Sequence, residues 1–175
     1  MTRLLFLALS LVAVLARPAV ADGGAAASEP APDFTLATLD GTNVSLSDHL
    51  GERVILVHFW SLWCGPCLDE LRAADELQRD LGPRGLQVLS ISIAEAKDGS
   101  RVRATAGRLE LSTTVLLDPE TRVIALLNPR KVTPWAMVVG TDGLVHHVKI
   151  GFTPGDEKQL RAWIEPLLPS VDEAD

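Results

Sequence analysis

The chain has 175 residues, a formal net charge of −7 and 47% hydrophobic residues. That acidity argues against nucleic acid and against tight binding to anionic lipid, and the length suits one domain with a sizeable core. No internal repeat is visible, which sets aside a solenoid.

Residues 1–21 read as a secretory signal. Arg3 gives a short positive start, Leu4 to Ala16 is apolar, and Ala19-Val20-Ala21 is an A-x-A cleavage site. The apolar run of 13 residues is short for a membrane span, which needs about 20, though an uncleaved anchor is the competing reading. No cysteine follows it to carry a lipid. The expected product begins at Asp22, is soluble without stable membrane insertion, and works in the periplasm or another oxidising extracytoplasmic space. Losing Arg3 and Arg17, and no acid, takes its charge from −7 to −9.

Residues 22–31 are rich in Gly, Ala, Ser and Pro and are expected to form a flexible lead-in to a domain over 32–169, with 170–175 as a tail. Phe34-Thr35-Leu36 and Val44-Ser45-Leu46 alternate apolar with polar around Asp40-Gly41, a hairpin signal. Val54 to Trp60 is apolar except for His58, as expected of a strand covered on both faces. A helix follows from Leu68 to Leu81, with Leu68, Leu71, Ala74, Leu77 and Leu81 inward. Asp69, Glu70, Arg72, Glu76 and Arg79 are expected outward, and Gly82-Pro83 stops the helix. Leu86 to Ile93 is the next strand, parallel to the first if the crossover is the usual βαβ.

Asp98-Gly99-Ser100 caps a weak helix to about Leu109, and Thr113 to Leu117 is a short strand. Asp118-Pro119-Glu120 reads as an N-cap followed by proline at the first helical position, in a helix ended by Asn128-Pro129. Trp135–Gly140 and Leu144–Ile150 flank Thr141-Asp142-Gly143 as a second hairpin, with His146 and His147 on its late strand as solvated or edge residues. The last helix spans Glu157 to Leu168. This order implies an α/β fold, a mixed sheet flanked by helices on both faces.

Chemistry concentrates in Trp63-Cys64-Gly65-Pro66-Cys67, which holds the only two cysteines of the chain. A C-x-x-C between a strand and a helix reads as a redox dithiol. Residues i and i+3 share one face of a helical turn, so the two sulfurs can bond or separate with little backbone motion. The helix N-terminus favours a thiolate at Cys64, and Pro66 fits a first turn whose N–H has no helical partner. A zinc site would need two further ligands, and His49, His58, His146 and His147 lack finger-like spacing, so no metal is expected. A purely structural disulfide would close too small a loop to stabilise much.

Ala31-Pro32-Asp33-Phe34, Leu39-Asp40-Gly41, Val57 to Cys67, Ser92 to Lys97 and Val132-Thr133-Pro134 occur in the order that resembles the TlpA/ResA-like thiol–disulfide oxidoreductases of the thioredoxin superfamily. The resemblance covers roughly residues 31–168 and implies a thioredoxin-like fold with an added N-terminal hairpin. It implies that Cys64 attacks and Cys67 resolves, and that the pair forms a redox-active disulfide. It also implies that Pro134 is a cis-proline facing the dithiol, with the Thr133 backbone available to a bound peptide. Glu95 matches an acid near the dithiol, placed to exchange a proton with Cys67. Trp63, Gly65 and Pro66 support the groove.

Two positions depart from the family pattern. His58 stands where relatives carry Asp or Asn, and is either a proton relay or a buried neutral histidine. Trp135 follows the proline where Thr is usual, and either crowds the partner groove or packs in the core.

The resulting expectation is an enzyme, a monomer without cofactor, that reduces disulfides in client proteins such as apocytochrome c or copper-site oxidase proteins. A membrane thiol-transfer protein would return the electrons. The same chemistry run as an oxidase or isomerase is the closest alternative. A peroxiredoxin would carry Thr-x-x-Cys where Ser61-Leu62-Trp63-Cys64 stands, and copper-carrying relatives use C-x-x-x-C rather than C-x-x-C.

Overall fold

A computed structural model describes residues 29–169. The expected signal at 1–21, most of the lead-in and the tail at 170–175 lie outside the described residues. Seven strands form one mixed sheet: β1 (Thr35–Thr38), β2 (Asn43–Ser45), β3 (Val54–Trp60), β4 (Leu86–Ser92), β5 (Thr114–Leu117), β6 (Trp135–Val139) and β7 (Val145–Ile150). Their spatial order is β2-β1-β5-β4-β3-β6-β7. The helices are α1 (Gly65–Leu81), α2 (Gly99–Arg108), α3 (Arg122–Leu127) and α4 (Asp156–Ile164).

β3 is the centre of this sheet, parallel to β4 on one side and antiparallel to β6 on the other. Every residue of β3 is buried, so its near-continuous apolar run is what two covered faces require. Its side chains alternate between two cores. Val54 and Leu56 pack with Ala74 and Leu77 of α1 and Leu160 and Ile164 of α4. Ile55, Val57 and Phe59 pack on the other face with Val123 and Ile124 of α3 and with Phe34 and Leu46 of the hairpin region. Trp60, Cys67 and Leu71 form a third cluster with Val102 and Ala106 of α2 and Val115 of β5. This cluster lies beneath the end of the sheet at which β3 stops and α1 starts.

The added hairpin is not an appendage. β1 pairs antiparallel with β5 through Ala37↔Leu117 and Thr38↔Leu116, which makes the hairpin the far edge of the main sheet. The end of the expected flexible lead-in is also tied down. Ala31 N–H donates to Gly143 O and Val145 N–H to Glu29 O, so residues 29–31 pair with the β6–β7 turn and the start of β7.

α1 begins at Gly65, with Cys64 as its N-cap, so the helical turn expected around the dithiol runs directly into the stretch from Leu68. One helix starts elsewhere than expected. α3 begins at Arg122, not at Pro119. Asp118 still caps it from upstream, its carboxylate accepting from the N–H groups of Arg122 and Ile124 at 2.9 Å each. Those are two donors that the helix itself leaves unpaired.

Candidate active site

Ser61, Leu62 and Trp63 carry the chain from β3 to Cys64. Cys64 and Cys67 are joined, with Cα atoms 5.2 Å apart, inside the range a disulfide spans without backbone movement. Cys64 is half-buried and Cys67 is fully buried, so only one sulfur is open to attack from outside. Cys67 N–H donates to Cys64 Sγ at 3.2 Å, the N-cap contact of α1. The first turn of α1 holds no acidic residue to oppose a negative sulfur. When the bond opens, the same donor and the helix N-terminus favour a thiolate at Cys64.

The partner face is apolar and exposed. Trp63, just before Cys64, is 66% exposed, and Gly65 and Pro66 are also exposed. The Thr133–Pro134 peptide is cis. Because Phe59 pairs with Trp135, Pro134 lies at the dithiol end of the sheet, and its carbonyl accepts from Gly151 N–H at 2.8 Å. Val132 and Ile150, flanking that loop in sequence and space, are exposed large apolar residues as well. Trp135 does not reach this surface. Its ring is buried, with its centroid 5.6 Å from that of Phe59, and so belongs to the core rather than to the groove.

Beneath the dithiol the sequence expectation is overturned. Glu70, expected on the outer face of α1, is fully buried. Its place three residues after Cys67 and four before Ala74 sets it on the inward stripe, and position on the helix prevails over the polarity of the side chain. One of its carboxylate oxygens lies 3.5 Å from Nδ1 of His58, also fully buried. That approach is too long for a hydrogen bond, and His58 Nδ1 and both Glu70 oxygens have no hydrogen-bond partner. Trp60 Nε1 and Ser61 Oγ are likewise buried without a partner. Five of the six such side-chain atoms among the described residues therefore sit at this end of β3 and the start of α1. Buried polar groups are normally satisfied, so a cluster of exceptions beside the dithiol singles out this end of the sheet.

The other ring nitrogen of His58 is engaged. Nε2 lies 2.7 Å from Ser90 Oγ, and Ser90 Oγ–H donates to Thr113 Oγ1 at 2.9 Å. Ser90 gives its proton to Thr113, so its contact with Nε2 is met when the ring nitrogen carries the hydrogen. Nδ1 then faces the carboxyl group of Glu70.

Glu95 lies elsewhere in the same region. Its carboxylate is 66% exposed and pairs with Lys97 Nζ at 2.8 Å, an interaction that raises the ammonium pKa above its ordinary value. His146 pairs with Asp142, and His147 stacks on Trp163 with ring centroids 4.6 Å apart, both remote from the dithiol. Burial and the neighbouring His146 hold the His147 pKa below its ordinary value.

The sequence profile of the AhpC/TSA family matches residues 27–148. The thiol–disulfide oxidoreductase ResA of Geobacillus thermodenitrificans is 30% identical over 81% of this chain and 79% of its own length. The thioredoxin-like protein YneN of Bacillus subtilis is 38% identical over 51% of this chain, a match that spans about half of that relative's length (52%). Among solved structures, one from Chlorobium tepidum described as a thiol:disulfide interchange protein of the DsbE type superposes with a TM-score of 0.73. It is 28% identical and covers 85% of this chain and 99% of its own. No helix among the described residues is long and apolar enough to cross a membrane.

Proposed function

We propose that this chain, which belongs to the AhpC/TSA family and is a ResA-like thiol–disulfide oxidoreductase, works in the reducing direction on disulfides of extracytoplasmic client proteins. The observation that carries this reading is the asymmetry of the pair: a half-buried Cys64 at a helix N-terminus over a fully buried Cys67, with the buried carboxyl group of Glu70 one turn along the same helix.

The Cys64 thiolate attacks a client disulfide. A bond forms between Cys64 Sγ and one client sulfur, and the other client sulfur leaves as a thiolate that water protonates. Cys67 then gives up its proton and attacks Cys64 Sγ. The intramolecular disulfide forms, the second client sulfur departs, and two electrons have passed from the dithiol to the client. In this reading the acceptor of the Cys67 proton is Glu70, seconded by His58, rather than Glu95, whose carboxylate is occupied at the surface by Lys97. Trp63, Val132 and Ile150 receive the apolar flanks of the client, and the backbone of Thr133 beside cis-Pro134 pairs with its extended strand.

The apolar run at Leu4 to Ala16, followed by Ala19-Val20-Ala21, supports export, and an oxidising compartment would require a membrane thiol-transfer protein to return the electrons. Apocytochrome c, or the copper-site proteins of oxidases, would be clients of this kind.

The test is the Cys64–Cys67 reduction potential, together with trapping by Cys67→Ser. A potential near that of thioredoxin, about −270 mV, and mixed disulfides captured through Cys64 support a reductant. A potential near that of DsbA, about −120 mV, would make the protein a disulfide donor instead.

A further inference from the structure

The His58–Glu70 pair is sealed from solvent, so a proton taken from Cys67 can reach water only through the interior. A line of hydroxyls leads away from it. Nε2 of His58 on β3 contacts Ser90 Oγ on β4 at 2.7 Å, and Ser90 Oγ–H donates to Thr113 Oγ1, just before β5, at 2.9 Å. All three residues point to the α1 side of the sheet, so the line crosses three neighbouring strands beneath that helix. Thr113 is itself nearly buried, but it lines an open groove of about 460 Å³ between the N-terminal hairpin and α2, along with Thr38, Asp40, Arg103, Gly107 and Glu110.

We propose that Ser90 and Thr113 form a proton exit that connects the buried His58–Glu70 pair to this groove, on the flank of the molecule and away from the client face. The proposal rests on the reading that the pair takes the Cys67 proton. With the ring hydrogen on Nε2, the hydrogen bonds point outward: Ser90 accepts from His58 and donates to Thr113. A proton on Nε2 passes to Ser90 Oγ, the Ser90 hydrogen passes to Thr113 Oγ1, and the Thr113 hydrogen passes to water in the groove. The ring, left with its hydrogen on Nδ1, and the two hydroxyls return to the starting state when re-reduction of the disulfide draws a proton inward along the same line.

The line is held in place from α1. Asp75 accepts from Thr113 N–H at 3.2 Å and from Ser112 Oγ–H at 2.8 Å, and Arg79 holds the other Asp75 oxygen at 2.7 Å. The charged groups facing the route are thus Glu70, Asp75 and Arg79 from α1, with Arg103 of α2, Glu110 just after that helix and Asp40 from the hairpin at its mouth. A site for proton release on the flank keeps the route open while a client covers Trp63, Cys64 and Pro134. That is the moment at which Cys67 must ionise.

The experiment is single-turnover oxidation of the reduced full chain by oxidised glutathione, following the step in which Cys67 resolves the mixed disulfide. Thr113→Val keeps the shape and removes the hydroxyl; Thr113→Ser keeps the hydroxyl. Thr113→Val is expected to slow resolution at least about tenfold, part of the roughly 10²–10⁴-fold that a positioned acid–base group contributes. Thr113→Ser should stay within about twofold of wild type, and the reduction potential should be the same in all, since a route changes rate and not equilibrium. Ser90→Ala, which cuts the line one step earlier, gives the same reading if valine at 113 prevents folding. Wild-type resolution in Thr113→Val alongside slow resolution in Glu70→Leu overturns the exit and leaves the buried base standing. Equal slowing by valine and serine, or a shifted potential, also overturns it, because the cause is then packing. Wild-type resolution in Glu70→Leu as well removes the base itself, and the exit with it.

Discussion

Helix α1 buries two carboxylates five residues apart, Glu70 and Asp75, and they live in opposite conditions. Asp75 is saturated: it accepts from Ser112 N–H, Ser112 Oγ–H and Thr113 N–H, and it pairs with Arg79. Glu70 accepts nothing, and only a histidine ring approaches it. A carboxylate surrounded by donors is a fixed anion that organises backbone, here the approach to β5. A buried carboxyl group without donors organises no backbone and has only the histidine ring beside it. The same residue class thus builds structure at one turn of the helix and, in the proposed reaction, serves chemistry at the next.

Four outcomes break or sharpen that contrast. Asp75→Ala removes a charged acceptor from buried N–H groups and should cost about 3 kcal/mol, lowering the melting temperature by roughly 10 °C. The rate at which Cys67 resolves a mixed disulfide should barely change in this variant; a large loss of rate with little loss of stability would erase the distinction. Glu70→Leu should behave in the reverse way. Its stability, measured by denaturant titration, should lie within about 1 kcal/mol of wild type, because Glu70 has no hydrogen bond to lose. Resolution should slow by about a hundredfold or more in single-turnover kinetics.

A third outcome sets a histidine of the surface against the one in the core. Burial against Trp163 and the charge of His146 lower the His147 pKa below the ordinary 6.5, so the unfolded chain binds this proton more readily than the folded one. The favourable contribution is therefore complete above about pH 6.5 and is lost as the pH falls through the folded value. In His147→Gln the stability measured between pH 7 and pH 5 should fall less steeply than in wild type. Smallest of all, Arg79→Ala should cost no more than about 1 kcal/mol, since this half-exposed partner adds to a carboxylate that three other donors already hold.

Much of the molecule was legible in its residues. The unbroken apolar run of β3 required a central strand, and the Cys64–Cys67 pair at a strand-to-helix junction located the chemistry. Glu70 lies inward because position on the helix outweighs charge: the stripe Cys67, Leu71, Ala74 and Leu77 passes directly through it. The lone polar residue of β3, His58, is the available signal: a buried ring on an apolar strand calls for a partner on the helix that covers it. The α3 start was hidden for a different reason. Asp118 does cap that helix, but by reaching its N–H groups across an intervening turn that no local propensity describes. The pairing of residues 29–31 with the β6–β7 turn carries no local signal at all, since it depends on where two distant segments meet.

That last pairing determines how the domain is presented. β6 runs antiparallel to β3, so the turn that receives Glu29, Pro30 and Ala31 stands at the opposite pole of the sheet from Cys64. Glu29 itself therefore enters the domain at its back. An affinity tag, a fused reporter or a surface immobilised through that end would leave the sulfurs facing outward, whereas attachment at the β3–α1 end would blind them.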